Sequence, residues 1–115
     1  EQVKIIGKIV YPFLGVRYIL INEKIQKEQG LSVNYGALII PGDAGQSAIF
    51  PDSPAEAAGL KQGDILLEFN NEKITVNNSL AKIILQCNPG DKVKLKILSD
   101  NKEKIIWVTL SEREE

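Results

Sequence analysis

The sequence predicts an α+β fold: a partly open β-barrel or sandwich of about five or six short strands with two short helices. Runs of β-branched and aromatic residues, separated by Gly, Pro and Asn, favour the strands. Near the C-terminus apolar residues alternate with lysines, which is typical of a strand with one buried and one solvated face. Two other segments begin with a capping residue and continue with helical spacing of apolar side chains, which predicts the helices.

The first half of the chain is predicted to hold a linker, a long strand and several shorter elements. Residues 1–12 are expected to be the end of a helix from an upstream domain, closed by Gly7, and then a linker. The domain itself is predicted to span residues 13–111, followed by a C-terminal tail at 112–115. We expect a strand at 13–21, a short helix or helical turn at 22–29, a strand at 36–40, a loop at 41–45 and extended chain at 47–50.

The middle of the chain carries the clearest local signals. Ser53 and Glu56 form a capping box around Pro54, which predicts a short helix that ends at Gly59. A strand is predicted at 65–69, and the pair Asn70-Asn71 that follows it favours a hairpin turn, because Asn tolerates positive φ.

The second helix and a final hairpin complete the domain. The helix is predicted to span residues 78–87, with Asn77 or Asn78 as its N-cap. Its apolar stripe consists of Leu80, Ile83, Ile84 and Cys87. Two strands paired across residues 99–101 close the chain, and strand alternation places Trp107 on their outer face. Whether Trp107 covers the N-terminal segment or contacts another domain stays open.

Composition narrows the classes of function. At 115 residues the chain is predicted to be one domain with its own hydrophobic core. The formal net charge is −1 and basic residues alternate with acidic ones, so the basic footprint of a nucleic-acid-binding protein is missing. The apolar runs are too short to span a membrane, and the N-terminus lacks the layout of a signal peptide.

The sequence contains no histidine, which excludes a Ser-His-Asp or Cys-His catalytic site within this chain. We expect no metal site and no other cofactor. Cys87 is the sole cysteine and is surrounded by apolar residues, so a buried, inert thiol is favoured over a nucleophile. The chain by itself is therefore interpreted as a binding module and not as an enzyme.

The segment Phe13-Leu14-Gly15-Val16 is the candidate site for a peptide carboxylate. A C-terminal carboxylate needs several backbone N–H donors that converge on one point. Gly15 lacks a Cβ, so its backbone can approach a ligand closely and adopt an unusual φ. The amides of Leu14, Gly15 and Val16 are the predicted donors.

The residues beside this loop are expected to form a groove for the peptide. The strand that continues through Arg17 and Tyr18 would offer its edge for β-augmentation, with Arg17 pointing away from the pocket by alternation. Leu80 and Ile84 lie one helical turn apart and would form an apolar pocket for the terminal side chain. Each feature also has a plainer explanation, since the tetrapeptide is common in ordinary strands and both helix residues are typical of a core.

Three segments in this order resemble the C-terminal PDZ domain of HtrA/DegP-type bacterial serine proteases. They are Pro12-Phe13-Leu14-Gly15-Val16, the run from Ser53 to Leu66 with its Ala58-Gly59-Leu60 and Gly63-Asp64-Ile65-Leu66 pieces, and Ser79 to Ile84 followed by Pro89-Gly90-Asp91. The resemblance covers nearly the whole chain and implies a PDZ-like fold. Two positions depart from the family pattern: Tyr11 stands where many members carry Arg, and Phe13 replaces a commoner Tyr.

The resemblance implies a domain that binds C-terminal or unfolded peptide segments and regulates or feeds an upstream protease domain. It further implies a bacterial envelope or periplasmic location, with a membrane anchor of the parent left open. The missing basic footprint predicts no nucleic-acid partner. The chain alone is expected to be monomeric, and its parent a homo-oligomer. The alternative is an interaction or assembly module of a non-proteolytic envelope protein.

Overall fold

The computed structural model describes residues 10–114, so the helix predicted at the N-terminus lies outside the described residues. Within this range the chain forms eight strands and three α-helices. In chain order they are β1 (Val10–Phe13), β2 (Tyr18–Leu20), α1 (Glu23–Gln29), β3 (Ala37–Ile39), a 3₁₀ turn (Asp43–Gly45), α2 (Pro54–Ala58), β4 (Ile65–Phe69), β5 (Glu72–Lys73), α3 (Leu80–Leu85), β6 (Lys92–Ser99), β7 (Lys102–Thr109) and β8 (Ser111–Glu114).

The strands form one large and one small sheet, and every pairing between strands in the described residues is antiparallel. The large sheet has the order β2-β3-β4-β6-β7, with β5 attached to β4 as a hairpin. In the small sheet β1 pairs with β8, from Val10 opposite Glu114 to Phe13 opposite Ser111. The two ends of the described chain are therefore joined, and the loop after β1 starts from a fixed point.

Apolar side chains cover both faces of the large sheet, and β4 shows this most directly. Leu66 and Phe69 of this strand belong to the main core, which also contains α2 and α3 residues. Ile65 and Leu67 point to the opposite face and join a second cluster that packs against α1. Because both of its faces are buried, β4 has a continuous apolar sequence and not an alternating one.

The hairpin turns follow the sequence signals. Asn70 and Asn71 have φ of 51° and 70°, and Asp100 and Asn101 have φ of 52° and 65°. Two consecutive positive φ values define the type I′ geometry that matches the twist of paired strands, and Asn and Asp tolerate it. The predicted turn after β4 and the predicted β6–β7 hairpin are both confirmed.

The predicted fold class is confirmed, and the differences concern element boundaries. The strand predicted at 13–21 is broken at residues 14–17, and strand pairing includes residues 10–12 and 112–114, which the sequence analysis assigned to a linker and a tail. Residues 22–29 form a regular helix, α1, because Asn22 accepts a hydrogen bond from the amide of Ile25 at 2.8 Å. These differences account for the larger number of strands and helices.

The N-cap predicted for the helix α3 was wrong by one or two residues. Ser79 is the N-cap, since its hydroxyl accepts from the amide of Lys82 at 3.1 Å. Asn78 instead pairs with Thr75 in an isolated bridge. The helix ends at Leu85, so Cys87 lies beyond it. Among the helices of the described residues, none has the length and apolar content that crossing a membrane requires.

Candidate functional site

A groove lies between the loop that follows β1, strand β2 and helix α3. Its volume is about 260 Å³, just below the ~300 Å³ at which small-molecule sites usually begin, so it suits one apolar side chain and a short length of backbone. The groove contains every residue that the sequence analysis proposed for the site except Arg17. Its lining residues are Pro12, Phe13, Leu14, Gly15, Val16, Tyr18, Leu80, Ala81, Ile84 and Leu85.

Gly15 allows the loop to pass directly against the start of α2. Its φ is +98°, and a Cβ at this position would lie 2.3 Å from Cβ of Ser53. Carbon atoms at contact distance are separated by about 3.5–4.0 Å, so a residue with a side chain cannot fit here without moving the backbone. The path of the loop therefore requires glycine.

The loop carbonyls are held by hydrogen bonds on one side, which directs the loop amides to the other side. The carbonyl of Leu14 accepts from the amide of Ala55 at 2.9 Å, and that of Gly15 accepts from the amide of Phe50 at 2.9 Å. The described peptide bonds are trans, so the N–H that follows each carbonyl points in the opposite direction. The amides of Gly15 and Val16 therefore point away from these partners, and within the described residues neither has an acceptor.

The edge of β2 that faces the groove offers backbone groups for pairing. The carbonyl of Arg17 accepts a hydrogen bond from the amide of Ile40 at 3.0 Å. The amide of Ile21 donates to the carbonyl of Gly36 at 2.9 Å, and Gly36 and Ile40 flank β3. In antiparallel strands these groups alternate in direction, so those of Tyr18 and Leu20 point to the opposite edge. In the part of the chain that the structure describes, β2 pairs with β3 alone. A peptide could therefore add to this edge as a further strand.

Helix α3 forms the opposite wall of the groove. Leu80 is fully buried and Ile83 is 2% exposed, so both serve the core, and Leu80 contributes the floor of the groove. Ile84 is half-buried and Leu85 is 61% exposed, and these two residues provide the apolar surface of the wall. Sequence reasoning missed Leu85 and Ala81. Their spacing of four residues, which puts them on one helix face, is the signal that could have found them.

The phenol of Tyr18 spans the groove from β2 to α3. Its hydroxyl oxygen accepts a hydrogen bond from the amide of Ala81 at 2.9 Å. Ser79 accepts from the amide of Lys82 at the same helix end. The second and third amides of α3, which have no partner inside the helix, are thus both satisfied, and the Tyr18 ring is fixed in position.

Arg17 lies outside the groove and supports the loop from its other side. Its guanidinium carbon lies 4.3 Å from the centre of the Phe50 ring, within cation–π range. The Phe50 ring in turn contacts Phe13 edge-to-face, with 5.3 Å between ring centres. The guanidinium of Arg17 therefore lies against Phe50, and Arg17 is not among the residues that line the groove.

Cys87 does not resemble a reactive thiol. It is half-buried, and its pKa is raised because burial disfavours the thiolate and because the charges of Asp91 and Glu72 add to this effect. A raised pKa lowers the fraction of the nucleophilic form. Within residues 10–114 no group of three or more His, Cys, Asp or Glu residues could hold a metal ion.

Several curated proteins that are similar to this chain share one description. A probable periplasmic serine endoprotease, DegP-like, from Marinomonas sp. (strain MWYL1) is 42% identical over 113 residues, which is 98% of this chain and 23% of the relative. A protein of the same description from Ectopseudomonas mendocina (strain ymp) is 29% identical over 110 residues, 96% of this chain and 22% of its own length. The chain thus spans less than a quarter of these relatives.

Solved structures and family assignment agree with the observed fold. The HtrA3 PDZ domain bound to a phage-derived ligand (FGRWV) superposes with a TM-score of 0.73 at 20% identity, covering 94% of this chain and 93% of that one. The HtrA-type protease AlgW with a decapeptide gives a TM-score of 0.72 at 18% identity, covering 90% of this chain and 30% of that one. The family described as PDZ domain matches residues 12–110. This chain therefore belongs to the PDZ domain family.

Proposed function

We propose that the groove binds the C-terminal residues of extended peptides by their carboxylate. The observation that carries this proposal is the pair of loop amides, of Gly15 and Val16, that have no acceptor in the described chain and lie beside a free strand edge. An amide that donates to a charged acceptor contributes about 1.5–3 kcal/mol. The amide of Leu14 is the third candidate donor, because it follows the carbonyl of Phe13, which accepts from the hydroxyl of Ser111.

The apolar part of the groove would take the last side chain of the peptide. Burial of a Val or Leu side chain contributes about 1.5–3 kcal/mol. The ligand FGRWV carried by the HtrA3 PDZ domain ends in valine, which supports an apolar terminal residue. With a few hydrogen bonds and one buried side chain, we expect dissociation constants on the order of micromolar, about −8 kcal/mol.

Calorimetry with one short peptide ending in valine tests the carboxylate. The peptide is compared with its C-terminally amidated form. Loss of the charge should weaken binding at least about tenfold, because charge-assisted bonds become ordinary ones. Equal affinity of the two forms would show that the loop amides do not hold a carboxylate.

A pair of surface substitutions tests the location of the site. Leu85 and Val76 are 61% and 56% exposed, but only Leu85 lines the groove. Leu85→Glu should weaken binding of the free peptide roughly three- to tenfold, whereas Val76→Glu should leave it unchanged. Both variants should unfold within about 0.5 kcal/mol of the wild type in urea. Equal losses of affinity in the two variants would place the ligand elsewhere.

For the parent protein, we propose a serine endoprotease of the bacterial periplasm or envelope in which this domain holds substrate segments. The similarity to DegP-like endoproteases over 98% of the chain supports this role. Addition of the groove-binding peptide to the full-length protein should change its rate of substrate cleavage, and the amidated peptide should not. A full-length protein without proteolytic activity would contradict the proposal.

Docking to another part of the parent is a second candidate function. Trp107 and Ile105 lie on the outer face of β7 and are 58% and 53% exposed. Strand β7 is also an edge of the large sheet. In the full-length protein a buried Trp107 would emit at shorter wavelength than in this chain. Identical emission spectra would count against docking through this face.

A further inference from the structure

The ring of Phe50 joins the two ends of the loop that follows β1, although Phe50 is not among the residues that line the groove. The ring contacts Phe13, the residue just before the loop, edge-to-face with 5.3 Å between ring centres. It also contacts Arg17, the residue just after the loop, whose guanidinium carbon lies 4.3 Å from the ring centre. Residues 14–16 are therefore bracketed by two contacts with one side chain.

The backbone of Phe50 holds the middle of the same loop. Its amide donates to the carbonyl of Gly15 at 2.9 Å. Its carbonyl accepts from the hydroxyl of Ser53 at 2.7 Å, and Ser53 is the N-cap of α2. Phe50 thus contacts the start, the middle and the end of the loop, and is itself tied to a helix. The position of the loop therefore depends on a residue that lies outside the groove.

Gly42 leaves room for the side chain of Arg17. A Cβ at position 42 would lie 2.6 Å from Nε and 2.8 Å from Cδ of Arg17, and 2.5 Å from Oε1 of Gln46. The φ of Gly42 is −77°, which any residue with a Cβ adopts. A larger residue at position 42 would therefore disturb these side chains without straining the backbone. The contact of Arg17 with Phe50 depends on the absence of a side chain at Gly42.

The support of the loop affects binding because a carboxylate is held only while the loop amides converge on it. When only part of the molecules have the binding arrangement, the apparent affinity falls in proportion to that part. An aromatic pair and a cation–π contact are each strong enough to change this fraction severalfold. Resting on the proposed function, we propose that Phe50 and Arg17 are positioning residues for the carboxylate. They hold the loop amides in the binding arrangement without contacting the ligand.

Removal of the Phe50 ring tests the proposal. Phe50→Leu keeps the backbone bonds and the charge of Arg17. Calorimetry with a peptide ending in valine should show roughly three- to tenfold weaker binding than in the wild type, and a smaller difference between the free and amidated peptides. Tyr35→Leu is the matched control, because Nζ of Lys73 lies 4.2 Å from the centre of that ring, in a cation–π contact away from the groove. It should bind the free peptide normally.

The ratio of the affinities for free and amidated peptide separates positioning of the loop from a merely structural role. Wild-type affinity in Phe50→Leu, or a loss that leaves this ratio unchanged, would overturn the role of Phe50 and leave the proposed function intact. A loss in Phe50→Leu cannot come from attraction between Arg17 and the carboxylate, because the charge of Arg17 is retained. Binding by the wild type that is independent of the carboxylate would overturn both proposals.

A change at Gly42 tests Arg17 from outside the loop. Gly42→Ala displaces the Arg17 side chain without backbone strain, so it should weaken binding of the free peptide about two- to fivefold. Arg17→Ala should give a similar loss, and Gly42→Ala should add nothing to it. Wild-type affinity in Gly42→Ala, or losses that add in the double variant, would overturn the role of Arg17. Should Phe50→Leu not fold, these two variants still decide the question, since neither removes a side chain of the core.

Discussion

Replacement of Gly15 by alanine tests the loop geometry most directly, because two separate costs can be worked from the structure. The first is the backbone cost of φ +98° for a residue with a Cβ, about 1–2 kcal/mol. The second is the overlap with Ser53, whose Cβ would lie 2.3 Å and whose Oγ would lie 2.6 Å from the new methyl group. Overpacking of this kind costs about 1–3 kcal/mol. Gly15→Ala should therefore lose about 2–5 kcal/mol of unfolding free energy.

Gly63 supplies the matched control. Its φ is +95°, nearly that of Gly15, but no atom lies within 4 Å of an added Cβ. Gly63→Ala should therefore carry the backbone cost alone, about 1–2 kcal/mol in urea unfolding. Gly15→Ala should also weaken binding of a free C-terminal peptide at least about tenfold, because the amides of the shifted loop no longer converge. Gly63→Ala should bind the peptide normally.

A double-mutant cycle isolates the overlap. Ser53→Gly removes the atoms that the new methyl group would meet and retains a residue that caps helices almost as well. In the Ser53→Gly background, Gly15→Ala should cost only about 1–2 kcal/mol, which gives a coupling of about 1–3 kcal/mol. A coupling of zero, with equal destabilisation in Gly15→Ala and Gly63→Ala, would refute the close approach of the loop to α2.

Two further predictions concern groups away from the groove. Ser99→Ala should lower the free energy of unfolding in urea by about 1–3 kcal/mol. The buried hydroxyl of Ser99 donates to Oδ1 of Asp64 at 2.8 Å, and its removal leaves that oxygen unpaired. A decrease below about 0.5 kcal/mol would contradict this reason. Burial, followed by the charges of Asp91 and Glu72, raises the pKa of Cys87, so the folded chain retains a proton that the unfolded chain loses. The free energy of unfolding should therefore fall as pH rises from about 8.5, and Cys87→Ser should remove this component of the pH dependence. Alkylation of the Cys87 thiol at that pH should be slower in the folded protein than in urea.

Local signals in the sequence were sufficient for the hairpin turns, the N-cap of α2 and the alternating burial of β6. The pair Asn70-Asn71 adopts the positive φ values that its composition favours. Ser53 caps α2 by accepting from the amide of Glu56, as the capping box predicts, although the Glu56 carboxylate bonds to the amide of Asp52, one residue earlier than the motif implies. These features depend on residues a few positions apart, which a single sequence displays.

Features that depend on distant residues, or on a choice among equally suitable neighbours, could not be predicted in the same way. The pairing of β1 with β8 joins residues about a hundred positions apart, and neither segment carries a signal for the other. The choice of Ser79 as N-cap was hidden because Asn77, Asn78 and Ser79 are all good capping residues. At the site, the motif identified the loop, but the bond from Ala81 to the Tyr18 hydroxyl spans 63 positions and leaves no trace in either local pattern.

The segment around α2 links structural and functional residues in a way that the sequence motif alone does not express. In the sequence, Gly59 and the capping box of Ser53 and Glu56 were interpreted as the two ends of a short helix. Yet the first turn of this helix supplies the Ala55 amide that donates to the carbonyl of Leu14. Ser53, the N-cap of the helix, lies so close to the loop that only glycine fits at position 15. The direction of the Gly15 amide depends on this contact, since carbonyl and amide belong to one rigid peptide plane. Conversely, a change that unwinds α2 should weaken peptide binding without touching any residue that lines the groove.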